Sequence, residues 1–324
     1  MTRSTTERPP GPPAAGSTPA RGERAAAVPA GRRPKPWRAV PLWMGLPAVL
    51  SLLVVAAYPT VVGVALAFTR SSLSRPLRAF VGFDNFVAAA ESVAFGGSLL
   101  RSAVFAVLAT VLSVGAGVVA AVALDARGGR FGVLGAVLLL PMVTPPVSVG
   151  VAWKLLLAPV GGAFTGLWDA LGIAGFNPLG SGVGAFLTLL LMHAWQWTPL
   201  VTLLVYAALL AVPAELREAA ALDGAGWSRT LFSVVGPQVA PSVLAVAILE
   251  LVLAFKVFDL VVVVTAGGPG VSTTVAGFEV FRTAFRGSFE VGTAAAETLV
   301  LGVLVGAVLA VAGLLTRRVR GAEQ

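Results

Sequence analysis

Between Arg38 and Arg70 the chain carries no charged residue, and apolar stretches of similar length return along the rest of the sequence. Each is long enough for the ~20 apolar residues that a helix needs to cross a bilayer. A stretch of this kind has few folds open to it. Hydrocarbon offers no hydrogen bonds, so every N–H and C=O must find a partner inside the protein, and an α-helix does this within one segment. The runs predict an all-α integral membrane protein with six transmembrane helices: Leu42 to Phe68, Leu100 to Leu124, Phe131 to Leu157, Gly184 to Val212, Ala240 to Thr265 and Val291 to Leu315. Pro47 and Pro59 lie in the first, and Pro141, Pro145 and Pro146 interrupt the third. Proline frees carbonyls that neighbours must satisfy, so the third span is expected to be surrounded by others.

Composition narrows the function. Of 324 residues, 57% are hydrophobic and 12% charged, against the ~25% charged of soluble domains. Cysteine is absent and His193 is the single histidine. That leaves no disulfide framework, thiolate zinc site, iron–sulfur cluster or histidine-built metal site, and no cofactor is expected. The lysines are Lys35, Lys154 and Lys256, none followed by Ser or Thr, so there is no phosphate-binding Gly-Lys-Ser/Thr loop and the chain is not itself an ATPase. No nucleophile triad or carboxylate pair reads as an active site, and an enzyme is not expected.

The net charge of +8 comes from arginines at the ends of apolar runs and in the N-terminal stretch. That distribution is the positive-inside pattern rather than a nucleic-acid-binding face, and it puts both termini and the central loop in the cytoplasm. Arg127, Arg130, Arg217, Arg229, Arg317, Arg318 and Arg320 fall on that side; Arg70, Arg75, Arg78, Arg282 and Arg286 fall on the other. Residues 1–38 are rich in Pro, Ala, Gly, Ser and Arg, and are expected to be a disordered cytoplasmic tail without a signal-peptide core. The excess of Arg over Lys, with abundant Ala, Gly and Val, fits a bacterial plasma membrane protein of a GC-rich genome.

The central segment from Val212 to Pro241 is neither apolar enough to span nor polar enough to be structureless. Pro213 suits a first helical turn, and Ala214 to Leu222 are mostly strong helix formers. Glu215 and Glu218 lie towards the positive end of that helix, with Arg217 between them. Asp223-Gly224 signals a turn. A second helical run is expected from Trp227 to Val235, limited by Pro237 and Pro241.

Charged residues inside spans are costly and mark pathways or buried pairs. Glu250, Lys256, Asp259 and Glu297 are the candidates. Lys256 and Asp259 are three residues apart, a spacing that puts them on one helix face and lets them pair. Glu297 follows the small residues Gly292 to Ala296, which permit close helix contact. Trp153, Trp195, Gln196 and Trp197 offer stacking faces and an amide suited to a sugar, although tryptophans near span ends also serve as interface anchors. Phe278, Phe281 and Phe285 fall at helical spacing with Val275, and Glu279, Arg282, Arg286 and Glu290 fall on the other side. This pattern predicts an amphipathic helix on the outer membrane face.

Glu218-Ala219-Ala220, Asp223-Gly224-Ala225 and Pro237 resemble the EAA loop of permease subunits of binding-protein-dependent ABC importers. Gly236 departs from the apolar residue usual before that proline. The phrase from Ala254 to Leu260, continued by Thr265 to Gly270, is similar to the sugar-type permeases of maltose, lactose and glycerol-3-phosphate importers. Phe80 to Phe86 resembles a phrase in their first external loop. The resemblance implies the type I importer permease fold over residues 39–320. It also implies a sister permease, cytoplasmic ATP-binding subunits and an extracytoplasmic solute-binding protein as partners. By the same resemblance, Glu215, Glu218, Ala219, Ala220, Asp223, Gly224 and Ala225 form the ATPase-coupling loop at 212–241. Trp195, Gln196, Glu250, Lys256, Asp259 and Glu297 are the candidates for the translocation path. A neutral oligosaccharide is the expected cargo. A polyamine, phosphate or amino-acid permease, or a membrane scaffold without transport, are the alternatives.

Overall fold

The computed structural model describes residues 42–126, 132–173, 175–287 and 289–321. The tail expected over residues 1–38, and most of the turn expected from Asp125 to Arg130, lie outside that set. The chain divides after Val55 into two units. In the first, a 3-10 turn at Leu42–Gly45 leads into α1 (Leu46–Leu52). Pro47 occupies the first turn of α1, where a missing N–H costs nothing. The described side chains from Trp43 to Val55 are all exposed.

The second unit holds α2 (Tyr58–Ala67), a hairpin of β1 (Thr69–Ser72) and β2 (Arg75–Phe80), then α3 (Asp84–Glu91) and α4 (Val93–Ala126). Next come α5 (Gly132–Val143), α6 (Pro146–Leu156), α7 (Thr165–Ala170), α8 (Gly182–Leu210), α9 (Ala214–Leu222) and α10 (Trp227–Thr230). α11 (Gly236–Phe255), α12 (Ala276–Phe281) and α13 (Val291–Gly321) complete it. The hairpin pairs Thr69 with Phe80 and Arg70 with Ala79, and is irregular between Arg70 and Ser72. Every residue of β2 is exposed, so it lacks the alternation by which a sequence reveals a strand.

Five helical runs are long and apolar enough to cross a membrane: Trp43–Ala67, Val93–Ala126, Gly182–Leu210, Trp227–Phe255 and Val291–Leu314. The third expected span is instead a broken pair, Gly135–Val143 and Pro146–Leu156, bent by 101°. Pro145 and Pro146 cause the break. A residue before proline is driven out of the α region, and Pro145 is extended with ψ 137°.

The expected fifth span needs two corrections. Pro237 and Pro241 do not end the helix that starts at Trp227. A π-turn at Leu231–Val235 precedes α11, Pro237 then sits in α11's first turn, and Pro241 lies inside the helix. The far end comes earlier than expected. α11 stops at Phe255, and the chain turns at Lys256 before a π-turn at Val261–Thr265. The phrase Gly267 to Gly270 does turn: Ala266, Gly267 and Gly270 have positive φ. Thr273 and Thr274 donate to the carbonyls of Gly268 and Gly267.

Packing follows membrane rather than aqueous rules. The buried face of α4 is Phe95, Ser98, Ser102, Phe105, Ala106, Ala109, Ser113, Gly117 and Ala121, a mostly small stripe at helical spacing. Its large residues Leu100, Val107, Val111 and Val119 are exposed. Lipid tails are as apolar as leucine, so helices gain by close approach of small residues while bulky ones face acyl chains. A Cβ on Gly117 would collide with Val201 of α8, so these two helices touch backbone to side chain. A core of Ala121, Val201, Val205, Tyr206, Leu209, Val235, Val239 and Val246 lies next to the loop that follows α8. A second core, including Phe105, Leu189, Met192, Phe255, Val261 and Phe278, lies towards the opposite ends.

α12 is not the surface helix that its spacing suggested. Val275, Ala276, Phe278 and Glu279 are buried, and the Ala276 N–H donates to Ser102 Oγ at 2.7 Å. α12 therefore packs into the bundle against α4, and Phe285 is the member of its aromatic set left exposed.

Candidate functional site

The loop between α8 and α11 folds as helix, turn, helix, as its sequence predicts. α9 begins after Pro213, whose ψ of 135° places it outside the helix. It ends in a Schellman arrangement: Ala225 N–H donates to Ala220 C=O at 2.9 Å and Gly224 N–H to Ala221 C=O at 3.0 Å. This closure needs a left-handed residue at the position of Gly224, whose φ is +75°. It also brings residue 225 over residue 220, where both are alanine and Ala220 is buried. The residue types of Glu218-Ala219-Ala220 and Asp223-Gly224-Ala225 are thus largely those that let a short helix stop and reverse. Glu215, Glu218, Ala219, Asp223 and Gly224 are exposed. So are Leu222, Trp227 and Phe232, at 90%, 60% and 76%. Gly236 is the last residue of this geometry, and a Cβ there would come within 2.9 Å of Leu231 O. The π-turn therefore crowds the one position that departs from the resemblance.

Arg217 faces inwards. Its Nη1 donates to Asp125 Oδ2 at 2.7 Å, and its Nη2 to the Leu209 carbonyl at 3.1 Å.

Within the spans, Glu250 and Glu297 are buried at 1% and 2% exposure. The Nε2 of His193 and Glu250 Oε1 share a hydrogen bond of 3.0 Å, and Phe105 meets the imidazole edge-on. Thr283 Oγ1 donates to Glu297 Oε1 at 3.5 Å. The second carboxylate oxygen of each acid is buried without a protein partner. Gln196 is also buried, and its Nε2 donates at 3.1 Å to Thr144 O, at the break between α5 and α6. The side-chain amide thus satisfies a carbonyl beside the paired prolines, while its own Oε1 has no protein partner. Trp195 is about half exposed. It packs edge-on against Trp153 and borders a groove of about 390 Å³ with Leu112, Pro141 and Thr198.

The structure does not pair Lys256 with Asp259. α11 ends at Phe255, before both, Lys256 is exposed and Asp259 half-buried, so the shared helix face on which the pairing rested is absent. Glu250, Gln196 and Glu297 each bond to a different partner and do not form one constellation. Sequence reasoning misses four participants. His193 reads as a lone histidine. Lys154 donates to Val263 O and Arg101 to Thr274 O, and both were passed over within apolar runs. Glu279, taken for a surface acid, is buried and paired with Arg282 at 2.9 Å.

Residues 113–321 match the model of the family described as binding-protein-dependent transport system inner membrane component. The chain belongs to this family. Among the family's relatives, the trehalose/maltose transport system permease protein MalF of Thermococcus litoralis is 30% identical over 78% of this chain and 85% of that one. The sn-glycerol-3-phosphate transport system permease protein UgpA of Escherichia coli O157:H7 is 33% identical over 70% of this chain and 76% of its own length. The fold matches that of a bacterial ABC transporter involved in import of the acidic polysaccharide alginate. The TM-score is 0.76 at 19% identity, covering 86% of this chain and 94% of that chain. The matched region of this inner membrane component runs from Ser113 through the whole loop at 212–241 to the end of α13, so the segment that carries the resemblance and the helices that hold it belong to one family unit.

Proposed function

We propose that this chain is the permease subunit of an ATP-driven carbohydrate importer, forming half of a shared translocation path and coupling it to a separate ATPase. The observation that carries the reading is the loop at 212–241. It holds a capped short helix, α9, with exposed acids and the exposed apolar side chain of Leu222 at its end, on a segment too polar to lie in lipid. A face of that kind fits a groove on a protein partner, which we take to be the cytoplasmic ATP-binding subunit. Glu215, Glu218, Ala219, Ala220, Asp223, Gly224 and Ala225 are the coupling residues in this reading.

The path is best supported at the break between α5 and α6. Non-helical backbone at membrane depth is tolerated only against protein or a water-filled cavity, yet Val143, Thr144 and Pro145 are exposed in this chain. A sister permease on this face would complete a cavity there. Thr144, the Gln196 amide and nearby Trp195 would then offer the hydrogen bonds and aromatic face that a neutral, hydroxyl-rich solute needs. Glu250 and Glu297 keep a place in the path as acids with a free oxygen each. Lys256 and Asp259 lie at its outer end. An extracytoplasmic solute-binding protein would deliver the cargo, and the arginine distribution favours both termini in the cytoplasm of a bacterium. The trehalose/maltose and alginate relatives make carbohydrate the favoured class.

The test compares uptake of labelled oligosaccharides by cells carrying the full operon with uptake by a strain lacking this gene. Loss of sugar uptake is expected. If every sugar enters normally while a polyamine or amino acid no longer does, the cargo is wrong and the importer reading stands.

A further inference from the structure

Asp125 occupies the last turn of α4, the negative end of a 34-residue helix, where an acid is electrostatically unfavourable. It is 15% exposed, and its side-chain partner is Arg217 of α9. The same guanidinium donates to Leu209 O in the last turn of α8. One planar side chain from α9 therefore holds the ends of two long helices at once, a task that suits the fixed fork of arginine. Among the described residues this is the one ion pair that α9 makes. α4 and α8 are themselves pressed together where Gly117 meets Val201, so their ends behave as a single block.

We propose that Arg217 is the positioning residue that ties α9 to α4 and α8, so that displacement of the loop moves both helices with it. The proposal rests on the reading of the loop as the ATPase contact. Glu218 and Gly224 lie on its exposed side; Arg217 lies on the side turned to the spans. Docking and transmission are thus assigned to different residues of the same short loop, and they can be separated by experiment.

The absence of native cysteine allows a direct test in the complete importer with its ATPase subunits. Spin labels on Val119→Cys and Ala214→Cys, both at exposed positions, report the distance from α4 to α9 with and without ATP and vanadate. With Arg217 present, one narrow distance is expected in both states. With Arg217→Ala, Asp125→Ala or the double substitution, the distribution should broaden and shift on nucleotide binding. The double should be no worse than Arg217→Ala, and Arg217→Lys should restore part of the narrow peak. ATPase co-purification should stay at the level of the unsubstituted protein. A nucleotide-dependent shift already present with Arg217, an unchanged peak in Arg217→Ala, or additive effects of the two substitutions would each overturn the proposal. Loss of the ATPase from Arg217→Ala would also overturn it, by making Arg217 a docking contact, while leaving the docking reading of the loop intact.

Discussion

The imidazole Nε2 of His193 lies 3.0 Å from the Glu250 carboxylate, joining α8 to α11 across 57 residues of sequence. Neither side chain has access to solvent, at 2% and 1% exposure. Substituting either one by alanine strands the other in an apolar interior, at a cost of about 1–3 kcal/mol. Both single substitutions should lower the melting temperature of the detergent-solubilised protein. Residues in contact couple, so the double substitution should cost less than the sum. Strict additivity in the thermal melts would show that the pair contributes nothing as a pair.

The loop should be sensitive on its exposed side. Gly224→Asp places a side chain in a left-handed conformation that costs non-glycine residues ~1–2 kcal/mol, although Asp tolerates it better than most. The same change puts a charge beside the proposed contact. Glu218→Lys reverses a charge on the same face. Both should abolish uptake and weaken ATPase co-purification while the permease stays in the membrane. Normal uptake in both would remove the docking role.

Gln196→Leu keeps the approximate volume of a buried side chain and removes the donor to Thr144 O. The break between α5 and α6 then loses a bond worth roughly tenfold in an equilibrium. We expect normal membrane levels and about tenfold weaker half-saturation for the transported sugar, read from initial uptake rates. Unchanged kinetics would move the path away from this break.

Topology is open to a simple check. Reporter fusions at Gly224 and Arg320 should lie in the cytoplasm, and fusions at Ser74 and Gly270 outside. An external Gly224 would invert the whole arrangement.

What could be read from the sequence was local. α9 and its stop at Gly224 follow from residues within about one turn of each other, and they stand as expected. The apolar runs likewise announced their helices, because the bilayer sets a length that composition alone reveals. Features decided by neighbours were lost. Glu279 and Phe278 have the spacing of an amphipathic surface helix, and only the position of Ser102 on α4 shows that α12 lies inside. Lys256 and Asp259 have pairing spacing, but the helix they would share ends at Phe255. Pro237 reads as a terminator until the π-turn before it shows where its missing N–H falls. His193 became meaningful only when folding set it against Glu250.

The exposed residues Val143 to Pro145 also bear on how such a protein is made. A copy inserted alone must present the broken span to acyl chains, with the Thr144 carbonyl held by the Gln196 amide of the same chain. Its lifetime in the membrane should therefore depend on how promptly another subunit covers the break. Synthesis in step with that subunit would then favour its survival, and an unaccompanied copy would be marked for proteolysis by the same few residues proposed to line the path.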